Sequence, residues 1–272
     1  MRIIKRLALA SLLIGFLLVG YFSLNPTNSD GASFDSVTHI HGVKVFDKEI
    51  LMPTHEGLYK YSAANSMTLV KGPVFDVMGL AGFEETLYAS GHPGVGTKFL
   101  NPIGLIKSTD GGSTWQQISL AGQVDFHLLE VGKFDIYGVD AGTGLLMHSD
   151  NQGISWQNLG ENKFSDIAPV STKKSNAYAL LSGTLVQTEN SFKTSSPIKS
   201  DQKWESLEVL GNSIFTTSGK DIFQSTNEGK SWTKVATLPQ KISSISVNSQ
   251  IFVAVVGNTI YSSTNGGKTF NS

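Results

Sequence analysis

Four segments of the chain repeat one eight-residue pattern, and this repeat limits the possible fold more than any other feature. The pattern is Ser-x-(Asp/Asn)-x-Gly-x-(Ser/Thr)-(Trp/Phe), and it occurs at 108–115, 149–156, 225–232 and 263–270. A weaker copy begins at Thr188, so the five starts are separated by 41, 39, 37 and 38 residues. A period of roughly 20–50 residues is typical of solenoids and propellers. We call these five segments the box turns.

The chemistry of the box turns predicts a structural role. The Asp or Asn side chain can accept hydrogen bonds from backbone amides of its own turn, and the glycine can adopt a positive φ. The closing aromatic ring is expected to pack into the core. The residues assigned to these roles are Asp110, Trp115, Asn151, Trp156, Asn227, Trp232, Asn265 and Phe270. Between the box turns lie short β-rich runs broken by Gly, Asn, Asp and Ser, as expected for strands joined by turns.

The repeat resembles the Asp-box, or BNR, repeat found in sialidases, sortilin-type receptors and photosystem assembly propellers. The resemblance implies an all-β fold, a β-propeller with each box in the turn between the third and fourth strands of a blade. One four-stranded blade takes roughly 40 residues. Residues 34–272 therefore make six blades as a single domain, and a seventh is possible only with shorter strands. Because the sequence ends just after the last box, we expect residues 34–37 to supply the outer strand of the final blade.

The first 33 residues are predicted to be an export segment and a tether. Residues 1–24 combine a basic start with an apolar run from Leu7 to Phe22, the pattern of a signal peptide or an uncleaved signal anchor. Residues 25–33 are polar and turn-forming, and are predicted to be a flexible linker. The remainder is then exported, to the cell surface or the extracellular space, or to the periplasm of a Gram-negative cell. Membrane contact is expected only through an anchor formed by residues 7–24.

The distribution of basic residues excludes two classes of function. Both arginines, Arg2 and Arg6, lie in the export segment. The exported part carries 18 lysines against 22 acidic residues, a charge of about −4, and so lacks the basic surface that nucleic acid requires. Sialidases with this repeat grip a substrate carboxylate with three arginines, which this part cannot supply. The absence of cysteine also excludes disulfides and thiolate-bound metals.

A glycosidase is one hypothesis, because similar short bacterial proteins are catalogued as glycosyl hydrolases. Such an enzyme needs two carboxylates roughly 5–10 Å apart. The candidates, which lie at comparable positions in successive blades, are Asp76, Asp125, Asp140 and Asp166. Nothing in the sequence pairs two of them, so the glycosidase stays an alternative.

The histidines indicate a different kind of site, because all six lie between residues 39 and 148. We predict the innermost strands of four blades at 38–42, 75–79, 124–128 and 164–168. In this frame His41, Met78 and His127 occupy one position in three consecutive blades. Strand alternation puts His39 and His41 on one face, where they could chelate a metal together.

A second tier of histidines follows the next strands. His55 and His92 lie in loops that should rim one end of the channel, and Asp140 occupies the matching position in the third blade. The predicted metal site therefore comprises His39, His41, His55, His92, His127 and Met78. Imidazole suits zinc, copper, iron and nickel, and a thioether favours copper, so we expect a copper or zinc ion. Asp76 or Asp125 would orient the imidazoles.

The simpler interpretation is that these side chains pack between blades, as His148 is expected to do. Three hypotheses follow for function. The favoured one is a monomeric binding module for a glycan, peptide or protein, with the histidine site at the channel mouth. The alternatives are a glycosidase and a metal-dependent hydrolase or lyase. Because no catalytic constellation is complete in the sequence, we favour binding over catalysis.

Overall fold

The computed structural model describes residues 32–33, 37, 39–62 and 66–272, and within these ranges every regular element is a β-strand. The strands form six antiparallel sheets. The first sheet contains β1 (Ala32–Ser33), β2 (Lys44–Phe46), β3 (Glu49–Thr54), β4 (Gly57–Ser62) and β5 (Ser66–Leu69). The second contains β6 (Asp76–Phe83), β7 (Thr86–His92), β8 (Leu105–Ser108) and β9 (Gln116–Ser119). The third contains β10 (Phe126–Val131), β11 (Ile136–Asp140), β12 (Leu145–Ser149) and β13 (Gln157–Glu161).

The other three sheets repeat this arrangement. The fourth contains β14 (Asp166–Pro169), β15 (Ala177–Leu181), β16 (Thr184–Thr188) and β17 (Ser196–Pro197). The fifth contains β18 (Leu207–Leu210), β19 (Ser213–Ser218), β20 (Asp221–Ser225) and β21 (Thr233–Thr237). The sixth contains β22 (Ser244–Val247), β23 (Phe252–Val256) and β24 (Thr259–Ser263). Apart from β1, which pairs with β5, the strands of each blade pair with their sequence neighbours, as short turns between antiparallel strands require.

The first strands of the six hairpin series, β2, β6, β10, β14, β18 and β22, contact one another in a closed ring. Such a ring of innermost strands around a channel defines a six-bladed β-propeller. The fold class that the repeat predicted is therefore confirmed. The first innermost strand begins at Lys44, later than predicted, so His39 and His41 precede it rather than lie within it.

The first and last blades depart from the four-stranded plan. In the first blade, β1 pairs outside β5, with Ala32 opposite Met67. The last blade has three strands, and its outer position is started by an antiparallel bridge between Ser262 and Asn271. Asn271 thus takes the outer position of the last blade, which we expected residues 34–37 to fill. Residues 34–36 lie outside the described part of the chain.

The core is divided into six apolar clusters, each between two neighbouring blades. One joins Leu51 and Leu58 of the first blade to Phe75 and Ile106 of the second. The cluster that closes the ring joins Met52 and other first-blade residues to the last blade. Burying each such side chain contributes roughly 1.5–3 kcal/mol. The blades therefore depend on one another for stability, and the ring fixes the positions of groups at the channel mouth.

The box turns carry the hydrogen bonds that turn chemistry predicts. In the second, the Asn151 side chain accepts from the backbone N–H of Ser155 at 3.0 Å and from the hydroxyl of Ser149 at 2.9 Å. The Ser149 hydroxyl accepts the N–H of Gly153 at 2.9 Å. Asp110, Asn227 and Asn265 make the same bonds. The hydrogen bonds that Thr114 and Ser108 donate lower the pKa of Asp110 to about 2.

The weaker copy at Thr188 keeps this geometry without its glycine. Asn190 accepts from the N–H of Thr194 at 2.9 Å, and Phe192 has a φ of 60° where the other copies have glycine. The box aromatics pack against the interblade clusters while staying half-buried, and they are Trp115, Trp156, Trp232 and Phe270.

The export segment, residues 1–24, and most of the linker lie outside the described residues. Of the predicted linker, residues 32–33 form β1. No helix within the described part of the chain is long and apolar enough to cross a membrane.

Candidate functional site

Side chains from the first three blades form two His–His–Asp triads beside the ring of innermost strands. The first consists of His41, His55 and Asp76, and the second of His92, Asp125 and His127. In each triad, one nitrogen or oxygen from every member lies within 4.8 Å of the others. Each therefore has the donor types and the spacing of a metal site built from imidazole and carboxylate.

The first triad lies between blades one and two. His41 precedes β2, His55 occupies the turn between β3 and β4, and Asp76 begins β6. Oδ2 of Asp76 lies 2.8 Å from Nδ1 of His55, and its Oδ1 lies 3.4 Å from Nε2 of His41. The rings of His41 and His55 meet edge to face, with centroids 4.6 Å apart. The backbone ladder of two blades thus holds the three side chains together.

Two atoms of this triad are buried without a hydrogen bond. Nε2 of His41 and Oδ1 of Asp76 have no such partner among the described residues, although they are 3.4 Å apart. Burial lowers the pKa of His41, an effect that Asp76 partly offsets and that the nearby His55 and His127 reinforce. His41 is therefore neutral near pH 7, and a lone pair on imidazole and a carboxylate oxygen are available to one cation.

The second triad repeats this arrangement one blade further on. His92 ends β7, Asp125 precedes β10, and His127 lies within it. Oδ2 of Asp125 lies 2.8 Å from Nε2 of His127 and 3.2 Å from Nε2 of His92. Nδ1 of His92 bonds to Oδ1 of Asn101 at 2.8 Å. Oδ1 of Asp125 is buried and has no hydrogen-bond partner among the described residues.

His39 and Met78 are not brought into either triad. His39 has a φ of 52°, so it does not continue a strand with His41, and the alternation that paired them does not apply. Its exposed ring packs edge to face on His55, with centroids 4.8 Å apart. Met78 lines the same cavity, of about 320 Å³, as His41 and His127.

The two aspartates expected to orient the imidazoles are themselves members of the triads. The other two glycosidase candidates lie elsewhere. Asp140 accepts hydrogen bonds from the backbone of Asp125 and Gly142 and from the Thr143 hydroxyl. Although burial opposes it, these bonds lower the pKa of Asp140. Asp140 therefore stabilises its own loop.

Asp166 belongs to a charged group inside the channel that the sequence interpretation missed. Nζ of Lys44 lies 2.8 Å from Glu130 and 3.6 Å from Glu208, and both glutamates line the same cavity as Asp166. Oδ2 of Asp166 accepts the N–H of Leu207 at 2.8 Å. Burial, with Glu130 as a second cause, raises the pKa of Asp166 to about 8. The signal in the sequence was a single charged residue, Lys44, Glu130, Asp166 or Glu208, in four of the otherwise apolar innermost strands, β2, β10, β14 and β18.

His148 lies away from the triads. It is 7% exposed, and its Nε2 is 2.7 Å from Oδ1 of Asp135, which is 1% exposed. The ring of His148 stacks on Tyr137 at a centroid distance of 4.9 Å. His148 is therefore a buried histidine that packs in the core and is hydrogen-bonded there, as the sequence predicted.

Comparisons with known proteins show the fold. A GH74 xyloglucanase from Xanthomonas campestris superposes with a TM-score of 0.54 at 14% identity, covering 89% of this chain and 46% of that one. The chain thus spans about half of the xyloglucanase. YCF48 bound to D1 peptide gives 0.50 at 12% identity, covering 88% and 82%. A nidogen/laminin complex gives 0.57 at 9% identity, covering 82% and 92%. No family model and no curated protein matches the chain.

Proposed function

We propose that this chain is a binding propeller that holds a transition-metal ion at the mouth of its channel. The observation that carries the proposal is the pair of buried atoms, Nε2 of His41 and Oδ1 of Asp76, which face each other without a hydrogen bond. At 3.4 Å the two atoms make at most a weak ion pair, so burying them away from water costs up to roughly 1–3 kcal/mol each. A cation bound to both atoms removes that cost, and His55 supplies a third ligand.

Zinc fits this donor set best. Two imidazoles and one carboxylate form a common set of protein ligands for zinc, with the fourth position left for water or a ligand. Copper is the second metal to test, because Met78 lines the same cavity and a thioether favours Cu(I). With three protein ligands and an exposed His55, the ion would be accessible from solvent.

We further propose that the propeller belongs with Asp-box, or BNR, proteins and is exported. The four intact box turns and their hydrogen bonds support the first statement, and the basic and apolar pattern of residues 1–24 supports the second. The ligand we propose is a peptide or protein docking at the metal-bearing face. Two structures of similar fold are complexes, one of YCF48 with a D1 peptide and one of nidogen with laminin.

A glycosidase is less well supported, although one protein of similar fold is a xyloglucanase. Asp76 and Asp125 face histidines, and Asp140 is held by its own loop. Asp166 faces the channel and accepts a backbone hydrogen bond. None of the four is left as an acid and base pair facing a substrate cleft.

Elemental analysis of the untagged chain after dialysis against zinc, copper(I) or copper(II) tests the proposal. We expect near-stoichiometric zinc that survives dialysis, and at least a tenfold weaker affinity in His41→Ala. His39→Ala is the matched control, because this histidine lies outside both triads, and its affinity should equal that of the wild type. If the wild type retains no metal, or if His41→Ala binds as well as the wild type, the proposal is wrong.

A further inference from the structure

We propose that the two triads hold two metal ions that together bind one oxyanion, a phosphate or carboxylate group, at the channel mouth. This inference rests on the proposed function and extends it to the second triad and to the class of ligand. It depends on three features: the contiguity of the triads, the contacts of His92 and Asp125 with the unpartnered carboxylate oxygen between them, and the charge that two ions would bring.

The triads are contiguous because they share the second blade. Asp76 of the first triad and His92 of the second are directly opposite each other in the β6–β7 ladder. Side chains at opposite positions of an antiparallel pair have Cβ atoms about 4.5–5.5 Å apart and point to the same side of the sheet. The next blade adds Asp125 and His127 through contacts between β6 and β10. Two ions in these triads would therefore be neighbours.

The second triad has its own mismatch of hydrogen bonds. Oδ1 of Asn101 lies 2.8 Å from Nδ1 of His92 and orients the ring so that Nε2 lies beside Asp125. Nε2 of His92 lies 3.2 Å from Oδ2 of Asp125, and the same oxygen lies 2.8 Å from Nε2 of His127. The second carboxylate oxygen, Oδ1, is buried without a partner among the described residues. A cation bound by Nε2 of His92 and by Asp125 would give this buried carboxylate the partner that Oδ1 lacks.

The charges favour an anionic ligand. Two divalent ions with the carboxylates of Asp76 and Asp125 leave a charge of about +2. Lys44, Glu130 and Glu208 line the same cavity and together bring about −1, while burial raises the pKa of Asp166 to about 8 and Glu205 is paired with Lys241. The charge around the two ions therefore stays positive, at about +1. Each ion has three protein ligands, so each keeps an open position. His41 of one triad and His127 of the other line one cavity of about 320 Å³, which places one ligand of each proposed ion beside the same space. Paired metal ions commonly clamp an oxyanion through two of its oxygens.

The test uses cobalt(II), whose visible absorption reports its ligands. The untagged full-length chain is loaded with cobalt and desalted, and its metal content is measured. We expect two ions per chain in the wild type and in His39→Ala, and one in Asp76→Asn and in Asp125→Asn. Both Asn variants keep the side-chain shape and remove a buried charge, and thermal melts followed by circular dichroism check that they are folded.

Inorganic phosphate and acetate are then titrated into the desalted proteins. We expect a change in the cobalt spectrum of the wild type with one or both anions, and at least tenfold weaker binding in each single-ion variant. Tighter binding of phosphate would indicate a phosphorylated ligand, and tighter binding of acetate a carboxylate such as a peptide C-terminus. Two ions with no response to either anion would overturn the oxyanion site. One ion per chain would overturn the pair, and both results would leave the proposed function intact. Absence of any bound ion would overturn both proposals.

Discussion

Nε2 of His41 lies 3.4 Å from Oδ1 of Asp76, and within the described residues neither buried atom has a hydrogen-bond partner. We expect this contact to weaken the metal-free fold, and we expect the proposed ion to strengthen the fold by binding both atoms. We expect zinc at 100 times its dissociation constant to raise the free energy of unfolding by about 2.7 kcal/mol. In Asp76→Asn the metal-free protein should be about as stable as the wild type, because the amide oxygen can still accept from His55 and the amide NH2 can donate to Nε2 of His41.

Denaturant unfolding with and without zinc measures both effects. The increase in the free energy of unfolding that zinc causes should be smaller in Asp76→Asn and unchanged in His39→Ala. An equal increment in Asp76→Asn and the wild type would show that zinc acts elsewhere.

The glycine of the second box turn is required for two reasons that can be separated. Gly153 has a φ of 82°, and an added Cβ would lie 2.1 Å from Cδ2 of Leu105 in the preceding blade. Gly160 has a φ of 94° but no neighbour within 4 Å of an added Cβ. Gly160→Ala should cost about 1 kcal/mol through backbone strain alone, and Gly153→Ala about 3 kcal/mol. Thermal unfolding of both variants measures the difference, and equal losses would contradict the interblade contact.

The fold could be predicted from the sequence because the repeat is a local signal. The box turns fix where a blade turns, and their spacing fixes the number of blades. The outer strand of the last blade could not be assigned, because pairing of Ser262 with Asn271 and of Ala32 with Met67 depends on where distant segments meet.

Part of the grouping of side chains in the candidate site could also be predicted from the repeat. Alignment of the repeats placed His41 and His127 at one position of the blades and His55 and His92 at another. It could not show that Asp76 lies between His41 and His55, or that Asp125 lies between His92 and His127. Those contacts cross from one blade to the next. His39 was wrongly expected to lie on a strand with His41, since a positive φ at a single residue leaves no periodic signal.

The charged group in the channel should make the stability depend on pH. Burial and Glu130 raise the pKa of Asp166 to about 8, far above its value in an unfolded chain, while Lys44 opposes the shift. The folded state therefore binds the extra proton, and the free energy of unfolding falls as the pH rises from about 4 to 8. Removing the carboxyl in Asp166→Asn should reduce this fall by about 1–2 kcal/mol, less than the whole shift implies because channel water screens the charge.

Urea unfolding of the metal-free protein in the presence of a chelator, at several pH values, measures the slope of the free energy of unfolding against pH. Some dependence should remain in Asp166→Asn, because burial also raises the pKa of Glu208 to about 7. A variant whose slope equals that of the wild type would show that Asp166 is ionised in the folded protein at neutral pH.

The buried pair of Asp135 and His148 should matter for stability and not for metal binding. Oδ1 of Asp135 lies 2.7 Å from Nε2 of His148, and Oδ2 accepts the N–H of Ser175 in the next blade at 2.8 Å. Asp135→Ala leaves both groups without an acceptor, so we expect a loss of about 3–5 kcal/mol. The control is Asp150→Ala, which breaks an exposed ion pair with Lys174 and should change stability little. Denaturant unfolding gives the stabilities and zinc content gives the binding. A folded Asp135→Ala protein that has lost its zinc would show that this pair supports the metal site after all.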